Sequence, residues 1–206
     1  EEFYRSPFYL DDHFREVSFR DYFPVDDGDT FSYGGYLFTA VHTPGHSPGH
    51  MCLYEKKNKI FIGGDLILCD ITPNISSYLN VPDSLGDYIQ SLLKIREYDI
   101  ALYLPGHRTM GSNYRERAFQ IIEHHGRRVN ETYRMLKAHP GVTLYQLASY
   151  MTWQIRYDGN WDNFPLAQKP FAVHEVAAHL DYLYVRGEVD YIINAKGQHI
   201  YYIKSL

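Results

Sequence analysis

His42-Thr43-Pro44-Gly45-His46-Ser47-Pro48-Gly49-His50 is the stretch that decides how this chain folds. Three histidines at four-residue steps would share one face of a helix, but two Pro-Gly pairs exclude a helix there. The segment is therefore a tight loop. It directly follows YLFTAVH, residues 36–42, whose aromatic and β-branched side chains predict a buried strand. A histidine in such a loop is held rigidly at a strand end.

Downstream, residues 51–54 and 60–62 predict a hairpin turned by Glu55-Lys56-Lys57-Asn58-Lys59. Gly63-Gly64 ends it, and Asp65 projects from that end. Leu85, Tyr88, Ile89, Leu92 and Ile95 follow three- and four-residue steps, predicting a helix over 85–98 with Ser84 as its N-cap. Residues 100–104 predict a short strand stopped by Pro105-Gly106, with His107 next. Upstream, Asp26-Asp27-Gly28-Asp29 and Gly34-Gly35 are turn signals. Residues 1–24 read as irregular, with at most one short helix.

After residue 113 the texture changes. Phe119, Ile122, Val129, Tyr133 and Leu136 keep a helical period over 113–137, with Arg115, Arg117, Arg127, Arg128 and Arg134 on the remaining faces. Gly126 is a weak point in that helix. Pro140-Gly141 stops it, Thr143 caps a second helix over 143–151, and 152–170 is a polar, aromatic loop. A third helix over 171–186 turns Val173, Val176, Ala177, Leu180, Leu183 and Tyr184 inward and ends at Gly187. Residues 189–193 and 199–203 form a hairpin through Asn194-Ala195-Lys196-Gly197. Three helices and a two-stranded wing predict a winged helix-turn-helix. The boundary falls near residue 115, dividing the chain into 1–115 and 116–206.

The 206 residues are 45% hydrophobic and 22% charged, enough to bury a core and too apolar for a disordered tail. Net charge is −5, so no global positive field gathers a polyanion. Cys52 and Cys69 are too few for a disulfide scaffold or a Cys-rich zinc module, which points to a reducing, cytoplasmic setting. Apolar runs are too short to span a bilayer, and no basic n-region precedes an apolar h-region.

Three strand-terminal loops thus each present one His or Asp among glycines: His46, Asp65 and His107. Imidazole and carboxylate donors suit zinc or a similar divalent ion. Such an ion lowers the pKa of bound water and polarises a carbonyl or phosphoryl oxygen. Tyr103, Arg108 and Asn113 border the last loop and read as surface or packing residues before cleft residues. His124-His125 read as part of a solvated face. His174 and His179, five apart on a helix, do not share a face and are poor ligand candidates. The run from Trp153 to Lys169 either closes over the cleft or packs on the helices.

TPGHSPGH, GGD and LPGH, in this order and at these strand ends, resemble the third, fourth and fifth motifs of the metallo-β-lactamase fold hydrolases. That family includes glyoxalase II-like thioesterases and β-CASP-type nucleases. The resemblance implies that His46 is a ligand of a first metal, Asp65 bridges two metals and His107 is a ligand of the second. His42 and His50 do not match ligand positions; His50 reads as structural before it reads as a donor behind the ligands or a substrate contact. The C-terminal part resembles the winged-helix appendage of one branch, which includes an endoribonuclease and many bacterial hydrolases. The fold class implied is α/β (α+β): the C-terminal part of an αββα sandwich followed by a winged helix.

One departure matters. The family's H-x-H-x-D-H motif, which supplies further ligands and the Asp that orients water, has no counterpart here. The sequence holds no H-x-H, and His13 is the only histidine before His42. The chain begins Glu1-Glu2-Phe3, so the expectation is a piece of a longer protein whose N-terminal half-sandwich is absent. The function implied for the intact protein is hydrolysis of a small-molecule ester, thioester or phosphodiester by a metal-bound hydroxide. Two zinc ions would serve there, with one or none held by this chain and iron or manganese as substitutes. Alone it is expected to have little or no activity. An alternative reading is a non-catalytic association module with a vestigial metal site, forming a homodimer through an exposed sheet edge. A third is an endoribonuclease. The third helix carries Glu175 and Asp181 and only Arg186 at its end, which counts against nucleic acid as a partner.

Overall fold

The computed structural model describes residues 23–111 and 113–204. His13 and nearly all of the N-terminal irregular stretch lie outside them. The first unit is a five-stranded sheet of β1 (Thr30–Tyr33), β2 (Tyr36–His42), β3 (Met51–Glu55), β4 (Ile60–Gly64) and β5 (Leu102–Pro105), in that spatial order. β1 to β4 are antiparallel neighbours, and β5 lies parallel to β4. The connection from β4 to β5 carries α1 (Ser84–Lys94), as a parallel pair requires a crossover. Alternation sets the buried face: Cys52 and Tyr54 of β3 and Phe61 of β4 are buried, with half-buried residues between them.

β1 was not expected, because its TFSY is exposed at every position and gives no hydrophobic signal. Its cause is the turn. Gly34 and Gly35 have φ of +58° and +83°, two left-handed residues that close a two-residue hairpin and pair Tyr33 with Tyr36. Gly63-Gly64 were expected to end β4; the strand runs through both, with a register irregularity that lets Gly64 pair with Pro105.

α1 buries Leu85, Tyr88 and Leu92 against this sheet. Its N-cap is Asp83 rather than Ser84: the Asp83 carboxylate accepts the Gly86 amide at 2.7 Å, and Ser84 is the first helical residue. Asp outcompetes the neighbouring Ser because its second oxygen also accepts from Arg186 of the C-terminal part at 2.7 Å.

α2 (Tyr114–Ala138) is capped by Asn113. Its buried stripe is Tyr114, Ala118, Ile121, His125, Arg128, Thr132 and Leu136. The expected stripe was partly wrong: Phe119 is 61% exposed, while His125 and Arg128, expected on solvated faces, are buried. Hydropathy passes over this stripe because small and polar residues fill it. The start of α2 packs on the first core and Leu136 on a second.

The C-terminal elements are β6 (Val142–Thr143), α3 (Leu144–Tyr150), α4 (Lys169–Val185), β7 (Val189–Ile193) and β8 (His199–Ile203), with a sheet ordered β6-β8-β7. Thr143 and Gln146 form a reciprocal capping box at α3. Gly187, at φ +74°, ends α4, its amide bonding to Tyr184 O at 2.9 Å. Tyr184, expected to point inward, is exposed. Between α3 and α4, Trp161 and Phe164 are buried and stack at 4.6 Å in the second core, so this loop packs on the helices. α4 also packs on α1 and α2, and its Ala178 belongs to the first core.

Candidate metal centre

The TPGH loop takes its shape from α1. Gly45 has φ +129°, and a Cβ there would sit 2.3 Å from the Tyr88 Cβ, so only glycine allows this approach. Ser91 of α1 donates to Pro44 O at 2.8 Å, and Lys94 donates to His42 O at 3.0 Å. These bonds tie both sides of the loop to the helix.

His46, Asp65 and His107 come together. Asp65 is central: its Oδ2 lies 3.5 Å from His46 Nε2 and its Oδ1 lies 3.1 Å from His107 Nε2. Glycine makes the room. A Cβ on Gly106 would stand 2.9 Å from Asp65 Oδ1, and one on Gly64 would stand 2.7 Å from His50 Nε2. The Gly106 amide donates to Gly64 O at 2.7 Å, which ties the second and third loops directly. Arg108, just beyond, holds φ +70°, a left-handed conformation that costs a non-glycine residue energy.

The partners fix the tautomers. His46 Nδ1 faces Asn74 O at 2.9 Å, and a carbonyl only accepts, so Nδ1 carries the proton. In the neutral ring Nε2 then presents a lone pair to a carboxylate oxygen. Two acceptors facing each other at 3.5 Å call for a cation between them, either a metal ion or the proton of an imidazolium. An Nδ1–H bonded to a backbone carbonyl is also the usual support behind a metal-bound histidine. The donor chemistry thus fits zinc or a similar ion. Among the described residues, no three His, Cys, Asp or Glu side chains converge as ligands of one ion. The two imidazoles are instead divided between the two oxygens of Asp65.

His50 is not among these donors but stands behind them. Its Nε2 accepts the Asp65 backbone amide at 3.0 Å, so its Nδ1–H donates to Thr43 Oγ1 at 2.8 Å. Thr43 Oγ1 lies 3.2 Å from Cys52 Sγ, which donates to Gly63 O at 3.3 Å. Burial and the neighbouring His46 hold His50 below the usual histidine pKa, so it stays a neutral acceptor. Burial pushes the Cys52 thiol up to about 12, so it serves as a donor and not as a thiolate. His42 bonds to Pro48 O at 2.9 Å and closes the loop on itself.

Two positions that hold His46 carry no sequence signal. Asn74 offers a main-chain oxygen, and Tyr78 donates its hydroxyl to His46 O at 2.8 Å. Neither lies in a motif. Tyr103 is a packing residue: its hydroxyl bonds to the backbone of Ile67, and a Cβ on Gly63 would collide with that hydroxyl. Asn113 caps α2, and Arg108 is exposed. His125 and His179, from different helices, meet at 3.4 Å in the interior, away from these loops.

The sequence profile of the metallo-beta-lactamase superfamily matches residues 2–107, and the chain belongs to that superfamily. It is 29% identical over 137 residues to the beta-lactamase-like protein 2 homolog of Caenorhabditis elegans, covering 66% of this chain and 43% of the relative. It is 28% identical over 121 residues to the acyl-coenzyme A thioesterase MBLAC2 of Homo sapiens, covering 58% and 42%. The crystal structure of a beta-lactamase domain protein from Burkholderia ambifaria superposes with a TM-score of 0.77 at 26% identity, covering 90% of this chain and 53% of that one. The matched part of the chain therefore spans less than half the length of these two curated relatives. Among the described residues, no helix is long and apolar enough to cross a membrane.

Proposed function

We propose that this chain supplies His46, Asp65 and His107 as metal ligands to a hydrolase acting on a small-molecule thioester or ester. The observation that carries the reading is the Asp65 carboxylate, with one imidazole Nε2 at each oxygen, 3.5 and 3.1 Å away. Zinc, iron or manganese bound there would supply water activation and polarisation of the substrate carbonyl. The protein's part is to hold the ligands. Asn74 O orients the His46 ring, His50 holds the Asp65 main chain, Gly106 leaves space for the carboxylate and Gly64 for the His50 ring. The thioester is favoured over the phosphodiester because the human relative is named an acyl-coenzyme A thioesterase. The net charge of −5 is likewise unsuited to a polyanion.

Residues 116–206 belong in this reading as a winged-helix appendage that packs on the hydrolase part. The support is the β6-β8-β7 sheet beside three helices, and the position of α4. A nucleic-acid reader would present its third helix to solvent. Here α4 is packed against α1 and α2, and Arg186 at its end is paired with Asp83.

With three ligands and no H-x-H, the 206 residues alone should turn over slowly or not at all. The test is thiol release from an octanoyl thioester of N-acetylcysteamine by the native gene product that carries this chain. Zinc-dependent release that Asp65→Ala abolishes is expected. Release untouched by Asp65→Ala would overturn the assignment.

A further inference from the structure

The segment that fixes His46 has a second face. Asn74 and Tyr78 bond to His46, while residues 76–79 form one wall of a groove of about 990 Å³. The opposite wall comes from the C-terminal part: Leu144 and Tyr145 of α3, Phe171 and Ala177 of α4, and Tyr201 of β8. The groove thus lies on the seam between the two parts and shares Tyr78 with the candidate metal centre.

We propose that this groove receives the acyl chain of the substrate, a proposal that rests on the thioester reading of the metal centre. Its chemistry selects an uncharged, apolar occupant. Large apolar side chains are exposed at it: Leu79 is 94% exposed, Phe171 56% and Tyr145 45%. Exposed apolar side chains gathered at one groove mark a binding site. No Lys or Arg lines it; its polar members are Ser76, Ser77, Thr143, His174, Asp181, Gln198 and His199, and the strong permanent cations that hold a phosphate-rich ligand are absent from the lining. The volume is at the upper end of the range for small-molecule sites and accommodates a medium or long alkyl chain. Because the loop of residues 74–78 touches His46 on one side and the groove on the other, a carbonyl at the metal centre can leave its tail along Tyr78.

The probes are the S-butyl and S-octyl thioethers of N-acetylcysteamine, which are uncharged and carry no scissile thioester, titrated calorimetrically into the protein. The octyl compound should bind at least ~10-fold more tightly, against a ceiling of roughly 200-fold for four fully buried methylenes. Ala177→Trp, which fills the groove, and Leu79→Asp, at an exposed position that leaves the fold intact, should each bring that ratio below ~3-fold. Leu37→Asp, at an exposed position of β2 outside the groove, should leave it unchanged. Equal wild-type affinities, a preference that survives both groove variants, or an equal loss in Leu37→Asp would each overturn the proposal. A preference removed by both groove variants but accompanied by no thiol release would confirm the groove and overturn the thioesterase reading alone.

Discussion

His50 shows how much of this site is decided one bond behind the ligands. It touches neither His46 nor His107 through a hydrogen bond, yet its Nε2 holds the Asp65 amide and its Nδ1 is anchored through Thr43. Removing such a supporting histidine typically weakens metal binding by about 10- to 100-fold. His50→Ala is expected to fall in that range in a zinc competition against a chelating indicator, and unchanged affinity would contradict the role. The sequence favoured a purely structural His50 over a donor behind the ligands or a substrate contact. Its partner is a main-chain amide fifteen residues away, and no side-chain motif records a backbone donor.

Among the elements, the α1–loop contact carries the geometry. α1 reaches the TPGH loop at Gly45, where φ is +129° and no Cβ fits beside Tyr88. Gly45→Ala should therefore destabilise the fold by about 3 kcal/mol or more, combining backbone strain with overpacking. A lowered urea midpoint measures it; a shift below about 1 kcal/mol would mean the loop moves freely off α1. The strands and helices that frame the site were legible in the sequence because burial gave them period. β2, β7 and β8 have the limits expected, and Thr143 caps α3 as expected. The placement of His46, Asp65 and His107 at strand ends was legible because Pro and Gly pin loops there. What stayed hidden has common physical causes. β1 is an exposed edge strand set by its turn, and the stripe of α2 runs through Ala118, His125 and Thr132. Asn74 holds His46 through a carbonyl that every residue possesses.

Across the whole molecule, α4 joins the parts by packing on α1, and between α2 and α4 polar groups are enclosed. Arg128 donates to Glu131 at 2.6 Å, Glu175 at 2.9 Å and Thr152 O at 2.8 Å. Beside it, His179 Nδ1–H donates to Glu175 O at 2.6 Å, so His179 Nε2 is the acceptor for His125 Nδ1–H at 3.4 Å. His125 Nε2 has no partner among the described residues, a cost borne only by a neutral ring. Burial holds both histidines below the usual value, His179 at about 4 and His125 in the same direction with His179 and His124 opposing its charge. With the folded pKa depressed, the unfolded chain binds more protons between about pH 6.5 and 4. The stability from keeping these rings neutral is complete above the unfolded value and is lost as pH falls through that window. Between about pH 7.5 and pH 5 His179 alone should account for roughly 2 kcal/mol. Urea unfolding at the two pH values should show a smaller drop in His179→Asn than in the native sequence, and equal drops would refute the linkage.

On the proposed reading, Asp65, His46 and His107 would hold a metal ion. Cobalt(II) titration of the 206-residue chain, followed by visible absorption, tests it most directly. The chain should develop d–d bands of mixed nitrogen and oxygen ligation. Those bands should vanish in Asp65→Asn and weaken in His46→Gln and His107→Gln, while thermal unfolding of the metal-free variants stays near that of the native chain. A chain that develops no bands, or an Asp65→Asn variant whose spectrum matches the native one, would contradict a metal-ligand role for Asp65.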